Sequence, residues 1–424
     1  MSTKPITAEN GAEPSVEVST YAWYALGLLT MVYVLNFLDR TLIYILLAPI
    51  KAEMKLTDFE LALLGSTSFT IFYTLLGIPF GRLADRSVRK NLIAAGLAVW
   101  SLFSGLTGFG IGFWSIFLCR VMVGVGEATL GPAALSLLSD YFPPRVRATV
   151  HAIYSTGIAI GGGIAFFLGG WIGQTYGWRS AFYLLGFPGL LLAALVFFLR
   201  EEPRGRTETK QVRYTSDDWK MLFRSKPLLY LFVGYALFGL ASNNLGFWGP
   251  IFVNRLHGFS LLQIGAMAGI LMLTAGVGGT ILGSYLSDRL RRKRRGGRML
   301  LSAVAALVSV PLWLAFLFSD SVAVLLISNF ILLGLSLIWL GPAAADVHDI
   351  AGPQLRGLGI GIYFFTVNIA AYIIGSPIIG KLNDWAGATT NPSIMRYTLL
   401  VCPAAAIISA VLLWLGSRSL EQQG

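Results

Sequence analysis

Apolar runs of about twenty residues, each closed by a charged or turn-forming stretch, follow one another along nearly the whole 424-residue chain. A helix needs roughly 20 apolar residues to cross the hydrocarbon core of a bilayer. Twelve runs meet that length: about 21–48, 57–82, 90–109, 113–138, 149–172, 180–199, 228–254, 261–287, 299–318, 322–346, 357–380 and 395–416. The expected fold class is an all-α membrane protein with twelve transmembrane helices. The longest polar interruption, about 200–227, carries EEPRGRTETK and divides the runs six and six. It reads as a linker with short amphipathic helices between an N-terminal half, 21–199, and a C-terminal half, 228–416. Residues 1–20, with Glu9, Glu13 and Glu17 but no basic or cleavage signature, read as a disordered polar tail, and 417–424 as a second tail.

The two halves echo each other. Gly81 to Lys90 reads GRLADRSVRK between the second and third runs, and Ser284 to Lys293 reads SYLSDRLRRK after the eighth. Leu83, Asp85, Arg86, Arg89 and Lys90 thereby align with Leu286, Asp288, Arg289, Arg292 and Lys293. A second echo pairs Gly131-Pro132, Arg147, Tyr154, Gly170 and Gly177 with Gly341-Pro342, Arg356, Tyr363, Gly380 and Gly387. Shared order and spacing point to two copies of a six-span unit, a plan known in transporters.

Composition agrees. The chain is 55% hydrophobic and 12% charged, about half the charge of a soluble domain. The net charge of +11 lies in loops between apolar runs, which points to a membrane rather than nucleic acid. With the N-terminus inside, twenty-four of the 32 Lys and Arg fall on the cytoplasmic side and six on the other, which places both termini in the cytoplasm. Cys119 and Cys402 lie inside apolar runs and suggest neither a disulfide framework nor a zinc site. His151, His257 and His348 are scattered, and GIAIGGG lies within an apolar span, so no catalytic or phosphate-binding constellation indicates an enzyme.

Few ionisable groups lie within the spans, and such groups are functional by default because an unpaired charge there costs several kcal/mol. Asp39 and Arg40 interrupt the first span in YVLNFLDRTLIY; Arg120 and Glu127 interrupt the fourth in FLCRVMVGVGEATL. Seven residues separate Arg120 from Glu127, about 10 Å along one helix face. Counted from the outer ends, Asp39 and Arg120 lie at similar depths, with Glu127 nearer the midplane. Asp39 and Glu127 are therefore assigned to proton coupling, with Arg120 as their countercharge; the alternative is a structural salt bridge between spans one and four. Arg40 is expected to snorkel or to pair structurally. Asp346, His348 and Asp349 end the tenth span as solvated or gate-forming groups.

In this plan spans one, four, seven and ten line the cavity. Tyr33, Asn36, Arg40, Asn243, Asn244, Asn329 and Asn368 are its candidate polar residues, with hydrogen bonding between helices the alternative role. An apolar body with few polar groups, in a chain that is 13% aromatic, suits an amphiphile better than a sugar. Gly157, Gly161, Gly162, Gly163, Gly169, Gly170 and Gly173 in span five, and Gly265, Gly269, Gly276, Gly278, Gly279 and Gly283 in span eight, read as close packing or as a seam that parts.

The paired loops after spans two and eight, together with Arg120 and the six-plus-six plan, resemble the Major Facilitator Superfamily across the whole chain. Val88 departs from the glycine usual in that loop, and span five lacks the Gly-Pro of drug antiporters. NFLDR (36–40), the stretch 50–73, GIPFGRLADRSVRK (77–90), the stretch 120–148 with VGVGEA and SDYFPP, and EEPRG (201–205) resemble the Spinster family. That resemblance implies a proton-coupled carrier of lysophospholipids or sphingolipids, working by alternating access in a bacterial inner membrane. It places Asp39, Arg120 and Glu127 at coupling positions. It also implies a cytoplasmic gate of Gly81, Asp85, Arg86, Arg89, Arg145, Arg147, Asp288, Arg289 and Arg356. Asp85 is expected to meet the helix N-terminus at Arg356, or Arg145 or Arg147, and so to hold the cytoplasmic side shut. The expected partners are an amphiphilic substrate, protons and membrane lipids, with no nucleic acid, no cofactor beyond the proton and a monomeric state. A sugar-acid or organic-anion symporter, a drug/proton antiporter and a receptor or scaffold on a transporter fold are the alternatives.

Overall fold

A computed structural model describes residues 18–203 and 219–422; the first part of the expected N-terminal tail and residues 204–218 of the expected linker lie outside them. The described chain is helical and without strands. Among the described residues twelve long helices succeed one another, with a short helix, Trp219–Arg224, between the sixth and seventh: α1 (Thr20–Met54), α2 (Asp58–Arg86), α3 (Arg89–Thr107), α4 (Phe113–Tyr141), α5 (Arg145–Tyr176), α6 (Trp178–Phe197), α7 (Lys226–His257), α8 (Leu261–Lys293), α9 (Gly297–Phe318), α10 (Val322–Gly352), α11 (Leu355–Ala386) and α12 (Pro392–Glu421). Eleven are long and apolar enough to cross a membrane by composition. The exception, α3, opens on Arg89, Lys90 and Asn91, which lower its hydropathy, but it occupies the third expected span and packs against α4 and α6. The helices outrun the apolar runs, and Arg418 and Glu421, expected in a tail, belong to α12.

Short connections make successive helices antiparallel, so α1 begins and α12 ends at the same face, here the terminal face; the opposite one is the distal face. Local chemistry sets the distal turns. Thr57 and Glu60 form a reciprocal capping box at the start of α2, and Ser260 and Gln263 form another at the start of α8. Gly258 and Gly387 end α7 and α11 with φ of 69° and 78°, a left-handed conformation open to glycine at little cost.

The repeat is visible in space. A Cβ placed on Gly81 would point at the Pro132 ring, 4.0 Å away. Ser284, its counterpart, turns its hydroxyl toward Gly341, the counterpart of Gly131, 2.9 Å from where a Cβ would stand. Two six-helix halves are thus built on one pattern.

Between the halves, α5 packs on α8 and α2 on α11. The glycines of α5 serve two seams. Cβ atoms on Gly157 and Gly161 would strike α1 at Tyr33 and Val34, whereas one on Gly170 would strike the Leu261 carbonyl of α8 at 2.5 Å. Gly265 answers from α8, facing the Phe166 carbonyl. The α5–α8 glycines are therefore close-packed here.

Three helices contain π turns: Leu63–Thr67 in α2, Met272–Gly276 in α8 and Ile369–Gly375 in α11. In α11 the Ser376 N–H reaches back to the Ala371 carbonyl. The next residue, Pro377, has no N–H, so the Tyr372 carbonyl loses its backbone donor. Ser66 and Thr67 hydroxyls from α2 donate to it instead, at 2.9 and 3.0 Å. A proline in one half thus creates a hydrogen-bond acceptor for the other.

Candidate functional site

Two glycines of VGVGEA bring three helices together around the buried charges. A Cβ on Gly124 would stand 2.5 Å from the Phe69 carbonyl of α2, and one on Gly126 would stand 2.8 Å from the Trp100 backbone of α3. Only glycine permits both approaches. They set Phe69 and Trp100 against α4, and Asp39, Arg40, Arg120 and Glu127 gather inside this shell.

The pairing differs from the expectation. Glu127 accepts from Arg40 Nε and NH2 at 3.2 and 3.0 Å, so Arg40 takes the role expected of Arg120. The Arg40 guanidinium also stands over the rings of Phe37, Phe69 and Tyr73, at 5.0, 4.7 and 4.5 Å from their centroids. These cation–π contacts fix its direction. Asp39 accepts from the Ser104 hydroxyl at 2.7 Å. Arg120 makes a single hydrogen bond, at 3.4 Å to the Asp39 backbone carbonyl, and its Nε and NH2 have no hydrogen-bond partner among the described residues. One oxygen of each acid, Asp39 Oδ2 and Glu127 Oε1, also has no hydrogen-bond partner among the described residues. Asp39, Arg120 and Glu127 are sealed at 0–1% exposure, whereas the Arg40 side chain keeps 21%. Arg40 is the charge of this cluster open to an incoming molecule.

The polar residues divide by role. Asn36 is buried one turn before Arg40, and Tyr33 stacks on Tyr154 with centroids 4.2 Å apart. Asn243 accepts from the Tyr372 hydroxyl, and Asn368 donates across the halves to Thr74 at 3.4 Å. Asn244 is fully buried between the Ala371 carbonyl and the Ser376 hydroxyl, which makes it a packing residue and corrects its assignment to the cavity. Asn329 is half-buried in α10.

At the terminal face the expected gate is apart. Asp85 is exposed and has no ion pair among the described residues. Arg86, Arg145, Asp288 and Arg289 are also exposed. Arg147 donates to the Ser139 and Phe142 carbonyls and Arg356 to the His348 carbonyl, each within its own half. Arg89 corrects its assignment to the gate: it is fully buried, bound to Asp140, to Glu201 at 2.7 Å and to the Glu202 carbonyl at 2.7 Å. Asp346, expected to be solvated, is 2% exposed and lies 3.5 Å from Arg298.

The cross-half ion pair of the described residues lies at the distal face, where none was expected. Asp58 is fully buried and bound by Arg255 at 2.7 and 2.8 Å and by Lys51. Asp384 of α11 accepts from the Asp58 and Phe59 N–H groups at 2.8 and 2.9 Å, capping α2 from the opposite half. Thr57 and Glu60 mark a helix start in the sequence, and a cap site attracts an acid, but nothing local names Asp384 as that acid.

Residues 29–371 match the family model of the Major Facilitator Superfamily. An MFS-type efflux pump of Mycolicibacterium smegmatis is 30% identical over 93% of this chain and 92% of its own. A hexuronate transporter of Bacillus subtilis is 27% identical over 89% and 92%. Among solved structures, a bacterial homolog of the human lysosomal transporter Spinster, in an inward-facing and unoccupied conformation, superimposes with a TM-score of 0.86 at 25% identity, covering 96% of this chain and 99% of that one. With its apolar helices, the chain is an integral, multi-pass membrane protein. It belongs to the Major Facilitator Superfamily and is a secondary transporter of the Spinster type.

Proposed function

We propose that the protein moves an amphiphilic, lipid-like molecule of the lysophospholipid or sphingolipid class across a bacterial inner membrane in exchange for protons, with both termini in the cytoplasm. The observation that carries this reading is the half-open Arg40–Glu127 pair within an otherwise sealed cluster. Arg40 is already open to a ligand, and Glu127, sealed in this state, becomes available once the pair parts, so the parted pair offers both signs of charge to one ligand. A zwitterionic headgroup sets its phosphate on Arg40 and its ammonium on Glu127. A proton on Glu127 removes the ammonium's acceptor and releases the headgroup. Proton and substrate then exclude each other, as exchange requires, and each moves the equilibrium only by its preference for one state. Asp39 shares the proton through the same cluster. The rings of Phe37, Phe69 and Tyr73 around Arg40 supply the apolar wall for the remainder of the molecule.

Alternating access follows from the distribution of contacts. The halves are tied at the distal face by Asp58 and Asp384, while Asp85 at the terminal face has no ion pair among the described residues. That arrangement agrees with a cavity open to the cytoplasm. Asp85, Arg145, Arg147 and Arg356 close that side in the opposite state.

A sugar-acid symporter is the second reading, favoured by the hexuronate transporter among the relatives. There protonated Glu127 releases Arg40 to a carboxylate, and both travel together. Flux of labelled lysophospholipid in proteoliposomes under an imposed pH gradient separates the two readings. The first expects lipid flux against the proton gradient that is lost in Glu127→Gln. Hexuronate flux with the gradient, without lipid flux, supports the second.

A further inference from the structure

We propose that Asp58 is the bolt of the distal gate, and that the state occupied by the empty carrier is set by how firmly Arg255 and Asp384 of the opposite half hold it. Asp58, Arg255, Lys51 and Asp384 all make contacts that cross between the halves. Arg255 of α7 grips both Asp58 oxygens at 2.7 and 2.8 Å, a fork-on-fork geometry. Lys51 binds the same carboxylate and also donates to Thr389 of the C-terminal half at 3.1 Å. Asp384 holds the first two N–H groups of α2. Space leaves no slack, since a Cβ on Gly380 of α11 would lie 2.6 Å from the Asp58 carbonyl.

About two turns deeper along α2, the Tyr372 carbonyl freed by Pro377 accepts from Ser66 and Thr67, so α2 and α11 are joined at two levels along one line. Opening the distal face separates a bidentate buried pair, releases the first two N–H groups of α2 from Asp384 and strands a carbonyl that its own helix cannot satisfy. Removing one member of a buried pair leaves the other unpaired and expensive to keep enclosed. Exposure to water relieves that, so loss of the bolt favours the open state.

The inference rests on alternating access but not on any substrate, and its test needs none. Cys119 and Cys402 are replaced by Ser and Ala, and Ala48→Cys supplies a probe in the closed crevice between α1, α7 and α8. Labelling by a membrane-impermeant maleimide is followed in vesicles presenting the distal face. Asp58→Asn should raise the rate about tenfold or more, a shift well within the strength of a buried pair. Arg255→Gln and Asp384→Asn should act in the same direction and carry the test if Asp58→Asn does not yield monodisperse protein. Glu53→Gln breaks the Arg179–Glu53 pair at the same face but within one half, and should leave the rate unchanged. Parental labelling in all three bolt variants, or an equal rise in Glu53→Gln, overturns the proposal. Absence of lipid flux with these labelling changes intact would discard the substrate assignment and keep the gate.

Discussion

Arg40 and Glu127 are 87 positions apart along the chain and 3.0 Å apart in the fold. Arg120 shares a helix with Glu127 and does not reach it. Two turns of helix separate Arg120 and Glu127 by about 10 Å along the axis, and the Phe69 ring, 5.5 Å from the Arg120 guanidinium, lies against its flank. The first prediction concerns this pairing. Arg40→Ala should destabilise the protein by about 3 kcal/mol, because it abandons a sealed carboxylate. The double variant Arg40→Ala/Glu127→Ala should fall short of the summed single effects by about 1–3 kcal/mol. Unfolding of the purified variants in mixed detergent measures the cycle, and additivity would refute direct coupling.

Arg89 lies inside the signature loop, yet its contacts are those of a staple joining α3, the end of α4 and the chain leaving α6. Arg89→Ala should lower stability by about 3 kcal/mol by unpairing Asp140 and releasing Glu201. Arg89→Lys should recover only part of this, since one ammonium cannot reproduce a planar fork. Transport per folded molecule should stay near the parental rate. A loss of flux at full stability would return Arg89 to the gate.

The α5–α8 seam makes a steric prediction. A Cβ on Gly265 would sit 2.3 Å from the Phe166 carbonyl, a backbone atom that cannot move alone. Gly265→Ala should destabilise by about 1–3 kcal/mol through forced separation of the helices. Gly246 lies within α7 with nothing within 4 Å of its would-be Cβ, and Gly246→Ala should be neutral or stabilising by up to about 1 kcal/mol. Thermal melting of the two variants side by side tests the contrast.

The Pro377 acceptor makes a fourth. Pro377→Ala restores an N–H beside the Tyr372 carbonyl, while Ser66→Ala with Thr67→Val removes the hydroxyls that reach it. The latter should weaken the closed distal junction by about 1–2 kcal/mol, the worth of two net hydrogen bonds. Adding Pro377→Ala should restore part of that. Labelling of the Ala48→Cys probe reads both steps, and a double hydroxyl variant with the parental rate would show that these bonds carry no closing energy.

Charged residues inside apolar runs are conspicuous, so Asp39, Arg40, Arg120 and Glu127 were legible as a group before any fold was known. Which base meets which acid was not, because it depends on the rotation of α1 against α4, and that rotation is set by Gly124 and Gly126 against backbone in α2 and α3. Asp58 was hidden for the opposite reason: it follows KAEMKLT and looks like an ordinary loop acid. Its significance comes from Arg255 and Asp384, which no local pattern links to it. The loop echo at Asp85 and Asp288 announced two halves correctly, but a gate residue's partner depends on which state is occupied, and sequence carries no record of that. Asn244 reads as cavity-lining by its span and becomes packing by its angle on α7.

All four membrane-buried charges of the central cluster belong to α1 and α4, and with both acids ionised they sum to zero. This neutrality reaches beyond folding, to the electrical behaviour of the carrier. A half that rocks with a neutral cluster does no work against the membrane potential, and adding a zwitterion leaves that unchanged. A proton on Glu127 or Asp39 makes the moving body +1, and a voltage of 100 mV then acts on it with about 2.3 kcal/mol. Under the proposed exchange, the proton-loaded stroke is the one that voltage drives, and the substrate-loaded stroke runs on concentration alone.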